Sequence, residues 1–170
     1  NTNDLLWLSA GHEFFHSVQH AYKEKLSSTD RFYREFTSMW FENIFVPTCF
    51  DFLDFVDMSL NSSLFHNPES AFDGNSSSGQ YGYSLALYGH YLSSVIDLAS
   101  MQTSSTIMRE IWEEYSSGGT IFSALEDVLD QTYETSFPVT WADFMSRNMY
   151  CGEFDSMDNE IYYHIGQSMT

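Results

Sequence analysis

His12-Glu13-Phe14-Phe15-His16 restricts what this chain can fold into more than any other stretch does. Two imidazoles four residues apart can share one ion only if a helix carries them on one side, a turn apart. In that helix Glu13 lies about 100° round from His12, beside the ion rather than on it. This is the arrangement of an HExxH zinc site: two metal ligands, with a carboxylate placed to act on a water at the metal. Chance would supply roughly 0.015 such matches in a chain of this length and composition.

The surrounding pattern supplies the helix. Residues 4–26 hold no Pro, and Leu5, Leu8, Phe15, Val18 and Tyr22 recur at helical spacing. Gly11, just before the motif, predicts a close approach by another segment. Ser27-Ser28-Thr29-Asp30 reads as a turn that ends this helix and caps a second over 31–45, which Pro47 stops. Phe32, Met39, Trp40 and Phe45 are the apolar positions of that second helix.

Three protein ligands and a water make the usual catalytic zinc site, so a third ligand is needed. The long pattern with Gly three and His six residues after His16 fails, because Gln19 and Tyr22 stand there. His20 lies about 6 Å further along the helix, too far for the same ion. Glu24, Glu35 and Glu42 are the carboxylates available. Glu24 is read onto the first helix itself, three turns from His12. Glu35 has eighteen residues between it and His16, enough for the helix to finish, turn and run back antiparallel. Glu42 lies two turns from Glu35 on the same face, where it cannot share the ion with Glu35 but can orient a His.

The remainder reads as mainly α. Residues 49–60 form a short aromatic helix with Asp51, Asp54 and Asp57 along one face, an acidic surface rather than a calcium site. Residues 61–80 are a polar loop suited to a lid or rim. Helices follow over 81–100, 105–115, 119–133 and from Pro138 to about Met149, and 151–170 is an irregular acidic tail. The organisation predicted is a single domain or fragment over 1–170, with metal-site helices in 1–60, the loop at 61–80 and a helical subdomain in 81–170. Tyr83 and His90 follow the loop and are the candidates for donors to a developing oxyanion.

Composition narrows the partners. The net charge is −18 over 170 residues. Residues 1–34 balance four acids with four bases, whereas 35–170 hold twenty acids against Arg109 and Arg147. Such a surface disfavours nucleic acid and anionic membranes. No apolar run reaches membrane-spanning length. Cys49 and Cys151 can form one disulfide in an exported protein or remain two thiols, and Asn61 and Asn75 begin glycosylation sequons.

With Glu35 as third ligand the chain resembles the gluzincin class of zinc peptidases, and within it a family of secreted bacterial metalloproteases of myxobacterial type. The resemblance lies in Phe-His-x-x-Gln-x-Ala-Tyr (Phe15 to Tyr22), Glu-x-Thr-x-x-Trp-x-Glu (Glu35 to Glu42), Val46-Pro47, the Tyr-rich helix from Tyr83 to Leu92, and Ile111-Trp112. It implies Zn2+ held by His12, His16 and Glu35, Glu13 as general base, a peptide or protein substrate, secretion with the signal outside this chain, and further domains in a longer chain. Two departures stand out. Phe36 replaces the Gly usual after the third-ligand Glu, which keeps Glu42 as the alternative ligand. Zincins also place a β-sheet before the motif helix, and only eleven residues precede His12. The expectation is therefore a zincin-like helical domain whose N-terminal sheet lies on another segment, or a reduced helical form.

Overall fold

The computed structural model describes residues 2–25, 27–48, 63–67, 70–72, 79–99 and 102–148. Among them there is no strand, and the chain is mainly α. No described helix is long and apolar enough to cross a membrane. Cys49, Cys151, the Asp51–Asp57 face, the sequons at Asn61 and Asn75, and the acidic tail lie outside the described residues. Two compact units divide the chain, Asn1–Gly89 and His90–Thr170.

In the first unit, α1 (Thr2–Tyr22) and α2 (Arg31–Phe45) are joined through a 3-10 turn at Ser28–Asp30. Ser27 caps that turn, its hydroxyl accepting the Thr29 N–H at 3.2 Å. The side-chain cap expected for α2 is absent; Asp30 occupies the N-cap position without the bond. α1 ends at Tyr22, four residues short of the predicted 26, so Glu24 lies beyond the helix and is exposed. Contacts pair Gly11 with Phe45, His12 with Glu42, His16 with Ser38 and Gln19 with Arg34. As one number rises the other falls, so the helices run antiparallel.

Aromatic packing holds this hairpin. Phe15 stacks on Phe41 with ring centroids 4.7 Å apart and meets Trp40 edge-on. Leu8, Phe32, Tyr33, Phe36, Met39 and Trp40 are buried. Of the predicted α1 stripe Leu8 and Phe15 are buried and Leu5 is exposed; Trp7, Phe14 and, on α2, Phe45 are exposed as well. The close approach predicted at Gly11 is present, with the Phe45 ring lying over it.

α3 (Gly79–Ser84) packs on α2 through Gly82. A Cβ at Gly82 would sit 2.3 Å from the Phe32 carbonyl oxygen and 3.1 Å from the Glu35 Cβ. The absent side chain therefore sets how near Tyr83 comes to Glu35. The helix predicted over 81–100 is interrupted at Leu85 and resumes as α4 (Ala86–Tyr91), followed by a π-helical turn at Leu92–Ile96. At the interruption the Leu85 N–H is shared between the Tyr81 and Gly82 carbonyls, at 3.3 and 3.1 Å. Ser84 Oγ donates to the Tyr81 carbonyl at 2.8 Å and accepts the Leu64 N–H at 3.0 Å, competing with the regular ladder.

In the second unit, α5 (Ile107–Ser117) and α6 (Ile121–Gln131) pack as a hairpin. Ile107, Met108, Ile111, Trp112 and Tyr115 face Ile121, Ala124, Leu125, Val128 and Leu129, all buried. Gly118 and Gly119 supply the positive φ angles of the link (146° and 73°). Thr120 and Ser123 form a reciprocal cap on α6. α7 (Phe137–Asn148) buries Phe144 against Tyr91. Asp97 Oδ2 accepts from the Thr106 and Ile107 N–H groups and from Ser105, and so caps α5 from a distance.

Two consequences can be measured by chemical unfolding. Gly82→Ala should destabilise by about 1–3 kcal/mol, against the roughly 1 kcal/mol that helix propensity alone would add in Ala's favour; a neutral or stabilising result would show that the helices separate freely there. Leu98 and Glu134 are exposed and hold φ angles of 52° and 51°. Leu98→Gly and Glu134→Gly should each stabilise by about 0.5–1 kcal/mol by relieving the left-handed backbone, and a loss of stability in both would contradict this.

Candidate metal centre

The hairpin brings three side chains from two helices to one point. His12 and His16 project from successive turns of α1, their rings edge-to-face with centroids 4.7 Å apart. Glu35 projects from α2 between them. Its Oε2 lies 3.2 Å from His12 Nε2 and 3.6 Å from His16 Nε2. Ligands about 2.05 Å from a tetrahedral zinc stand about 3.3 Å apart, so these separations fit one ion among the three atoms. The side chains are 10–16% exposed.

The outer edges of both rings are occupied. His12 Nδ1 donates to Glu42 Oε1 at 2.5 Å. His16 Nδ1 lies 2.9 Å from Gln19 Oε1 and 3.1 Å from Ser38 Oγ. Both Nε2 atoms are thus turned towards Glu35. Glu42 is held at the Nδ1 edge of His12, away from that point, which separates its place from that of Glu35.

Charge follows from this geometry. Burial disfavours a charged His12, yet its hydrogen bonds to Glu35 and Glu42 outweigh burial and raise its pKa to about 9. Burial alone would push the Glu35 carboxyl up, but its bonds to His12 and His16 hold it below the ordinary carboxylate range. A proton on His12 therefore holds the group together where no cation does. Arg31 Nε stands 3.8 Å from Glu35 Oε1 at an exposed position.

Glu13 is exposed, and its carboxylate groups with the two imidazoles, ligand atoms within 4.8 Å of one another. Glu35 is buried, with its Oε2 3.2 and 3.6 Å from the two Nε2 atoms, whereas Glu13 faces solvent. Tyr83 meets the His12 ring edge-on with centroids 6.0 Å apart. Burial first, then the Glu35 carboxylate to which it hydrogen-bonds, raises the Tyr83 pKa. A cavity of about 250 Å³ opens beside these groups, lined by Leu5, Leu8 and Met39 together with His12, Glu13 and Tyr83. His20 is exposed. His90 belongs to the second unit, where its side chain is buried and its carbonyl accepts from Ser94 Oγ at 2.6 Å.

The sequence reading passed over Gln19 and Ser38. The signal for them was a run of buried polar residues (Thr37, Ser38, Glu42 and Asn43) within an otherwise aromatic helix, facing a Gln three residues after His16.

Comparison of the chain with protein-family models, curated proteins and solved structures finds no match.

The two acids should separate in zinc titrations. Glu42→Ala is expected to weaken zinc binding by about 10–100-fold, as loss of a carboxylate behind a ligating His does. Glu35→Ala should weaken it further. A Glu35 variant that binds zinc as the unaltered chain does would remove Glu35 from the ligand set.

Proposed function

We propose that this chain is a zinc-dependent hydrolase acting on peptide bonds, of gluzincin type. The observation that carries the proposal is the approach of Glu35 Oε2 to both His Nε2 atoms, with the exposed Glu13 beside them. A purely structural zinc site is closed by four protein ligands. Three atoms at this point leave a position for water or a substrate carbonyl. Zinc held here would supply Lewis-acid polarisation of the carbonyl and a lowered pKa for a bound water.

The chain's own residues have distinct tasks in this scheme. Glu13 takes a proton from the attacking water and passes it to the leaving amine, which requires an accessible carboxylate one helix position from a ligand. Tyr83 turns its hydroxyl from Glu35 to the oxygen on which negative charge develops; its raised pKa keeps the proton on it. Glu42 fixes the His12 ring through Nδ1. The cavity beside them, with Leu5, Leu8 and Met39, receives an apolar side chain next to the scissile bond.

One observation favours a second reading, a metal-binding domain without turnover. Among the described residues there is no strand to pair with an extended peptide, the usual way a zincin holds its substrate.

Glu13→Gln separates the two. In the hydrolase it should keep zinc and lower turnover of a quenched fluorescent peptide library by about 10²–10⁴-fold, the size of a general-base contribution. Equal cleavage by both proteins would sink the mechanism. Zinc binding with no cleavage by the unaltered chain would leave the second reading.

A further inference from the structure

Gln19 is fully buried, and each end of its amide is committed. Its Nε2 donates to the Arg34 carbonyl at 2.9 Å, with Thr37 Oγ1 and Ser38 Oγ each at 3.0 Å. A carbonyl can only accept, so the NH2 end must face Arg34 and the oxygen end must face His16. Thr37 Oγ1 spends its own hydrogen on the Tyr33 carbonyl at 2.9 Å and meets Gln19 as an acceptor. The amide cannot flip without setting its oxygen against the Arg34 carbonyl oxygen.

The consequence falls on His16. Its Nδ1 stands 2.9 Å from the Gln19 amide oxygen, which has no hydrogen to give, and further off, at 3.1 Å, from Ser38 Oγ, which already accepts from the Gln19 NH2. Two lone pairs at that distance repel, so Nδ1 carries the proton, and in a neutral ring Nε2 is left with a lone pair. A histidine left to itself prefers the opposite tautomer. Nε2 is the atom that faces Glu35 Oε2. Arg34, whose carbonyl anchors the amide, is the residue before Glu35 in α2. One side chain therefore ties the ring of one ligand to the turn of backbone that carries another.

We infer that Gln19 is a positioning residue: it holds His16 in its Nδ1–H form, with the Nε2 lone pair aimed at the ion site, and fixes the register of α1 against the Glu35 turn of α2. Its effect on zinc rests on the metal-site reading above; its effect on the tautomer does not.

Nitrogen-15 correlation spectra of the imidazoles, taken on metal-free protein at a pH that keeps the ring neutral, report the tautomer directly. The His16 proton should lie on Nδ1. Gln19→Met, similar in volume but without the amide, should move it to Nε2 and weaken zinc binding by about 10–100-fold. Gln19→Glu keeps an acceptor towards His16, so the Nδ1 proton should remain there, while its second oxygen against the Arg34 carbonyl should lower stability. Thr37→Val removes one acceptor of the amide without touching His16; it should lower stability but leave tautomer and zinc affinity unchanged.

A His16 proton on Nε2 in the unaltered protein would overturn the inference. So would a Met variant with an unchanged spectrum and unchanged affinity. If the Met variant does not fold, the unaltered protein and the Glu variant still decide through their spectra. If zinc is not bound at all, the metal reading fails while the tautomer result stands.

Discussion

The first unit is organised around a buried carboxylate that must be neutralised. Glu35 is 8% exposed, and its Oε2 is wedged between two imidazoles. A buried charge without partners costs several kcal/mol even after relaxation. The hydrogen bond from His12 at 3.2 Å returns about 1.5–3 kcal/mol, and the His16 ring stands 3.6 Å away on the other side, so the position is tolerable only while both rings stay in place. The α1–α2 hairpin is thus tied by more than its stacked aromatics. Register error by one residue would carry both imidazoles away from the carboxylate and leave the charge stranded.

That constraint explains the polar residues within α2. Glu35, Ser38 and Glu42 lie three and four residues apart along one face, each meeting an imidazole of α1. Thr37 meets Gln19 from the adjoining position. The other positions carry Phe32, Tyr33, Phe36, Met39 and Trp40 into apolar surroundings. Apolar packing supplies most of the driving force for association, while the polar stripe selects which antiparallel register is adopted. Gly82 extends the same arrangement to α3, since only a residue without Cβ lets that helix reach the Phe32–Glu35 turn.

Local signals were legible in the sequence, and effects of tertiary contact were not. The end of α2 follows from Pro47, short-range punctuation, whereas at its start Asp30 takes the N-cap position without making the cap bond. The motif helix follows from spacing alone. Glu35 could be singled out by chain length between helices, but separating it from Glu42 needs the ring edges: one acid lies at Nε2 and the other at Nδ1 of His12. The break at Leu85 was hidden because periodic apolar residues continue through it, while the Ser84 hydroxyl redirects the hydrogen bonds. The end of α1 at Tyr22 was also hidden, because Lys23 to Lys25 are good helix formers and the reversal towards α2 overrides them. Gln19 looked like a mismatch to one metal pattern, since its meaning depends on a backbone carbonyl fifteen residues away.

Exposure divides the labour along α1. His12 and His16 are largely covered, and Glu13, one position on from His12, is open to solvent. Had Glu13 been the buried acid, it would have competed with Glu35 for the same imidazoles, and no accessible base would remain. The 100° step of the helix prevents this: it turns Glu13 out of the α1–α2 interface while both imidazoles face into it. A ligand needs a dry, fixed setting to hold its lone pair in place. In the proposed scheme the base needs water access. The helix offers a covered and an open setting within two adjacent residues, and the second helix, through Glu35, decides which face of the motif becomes the interior.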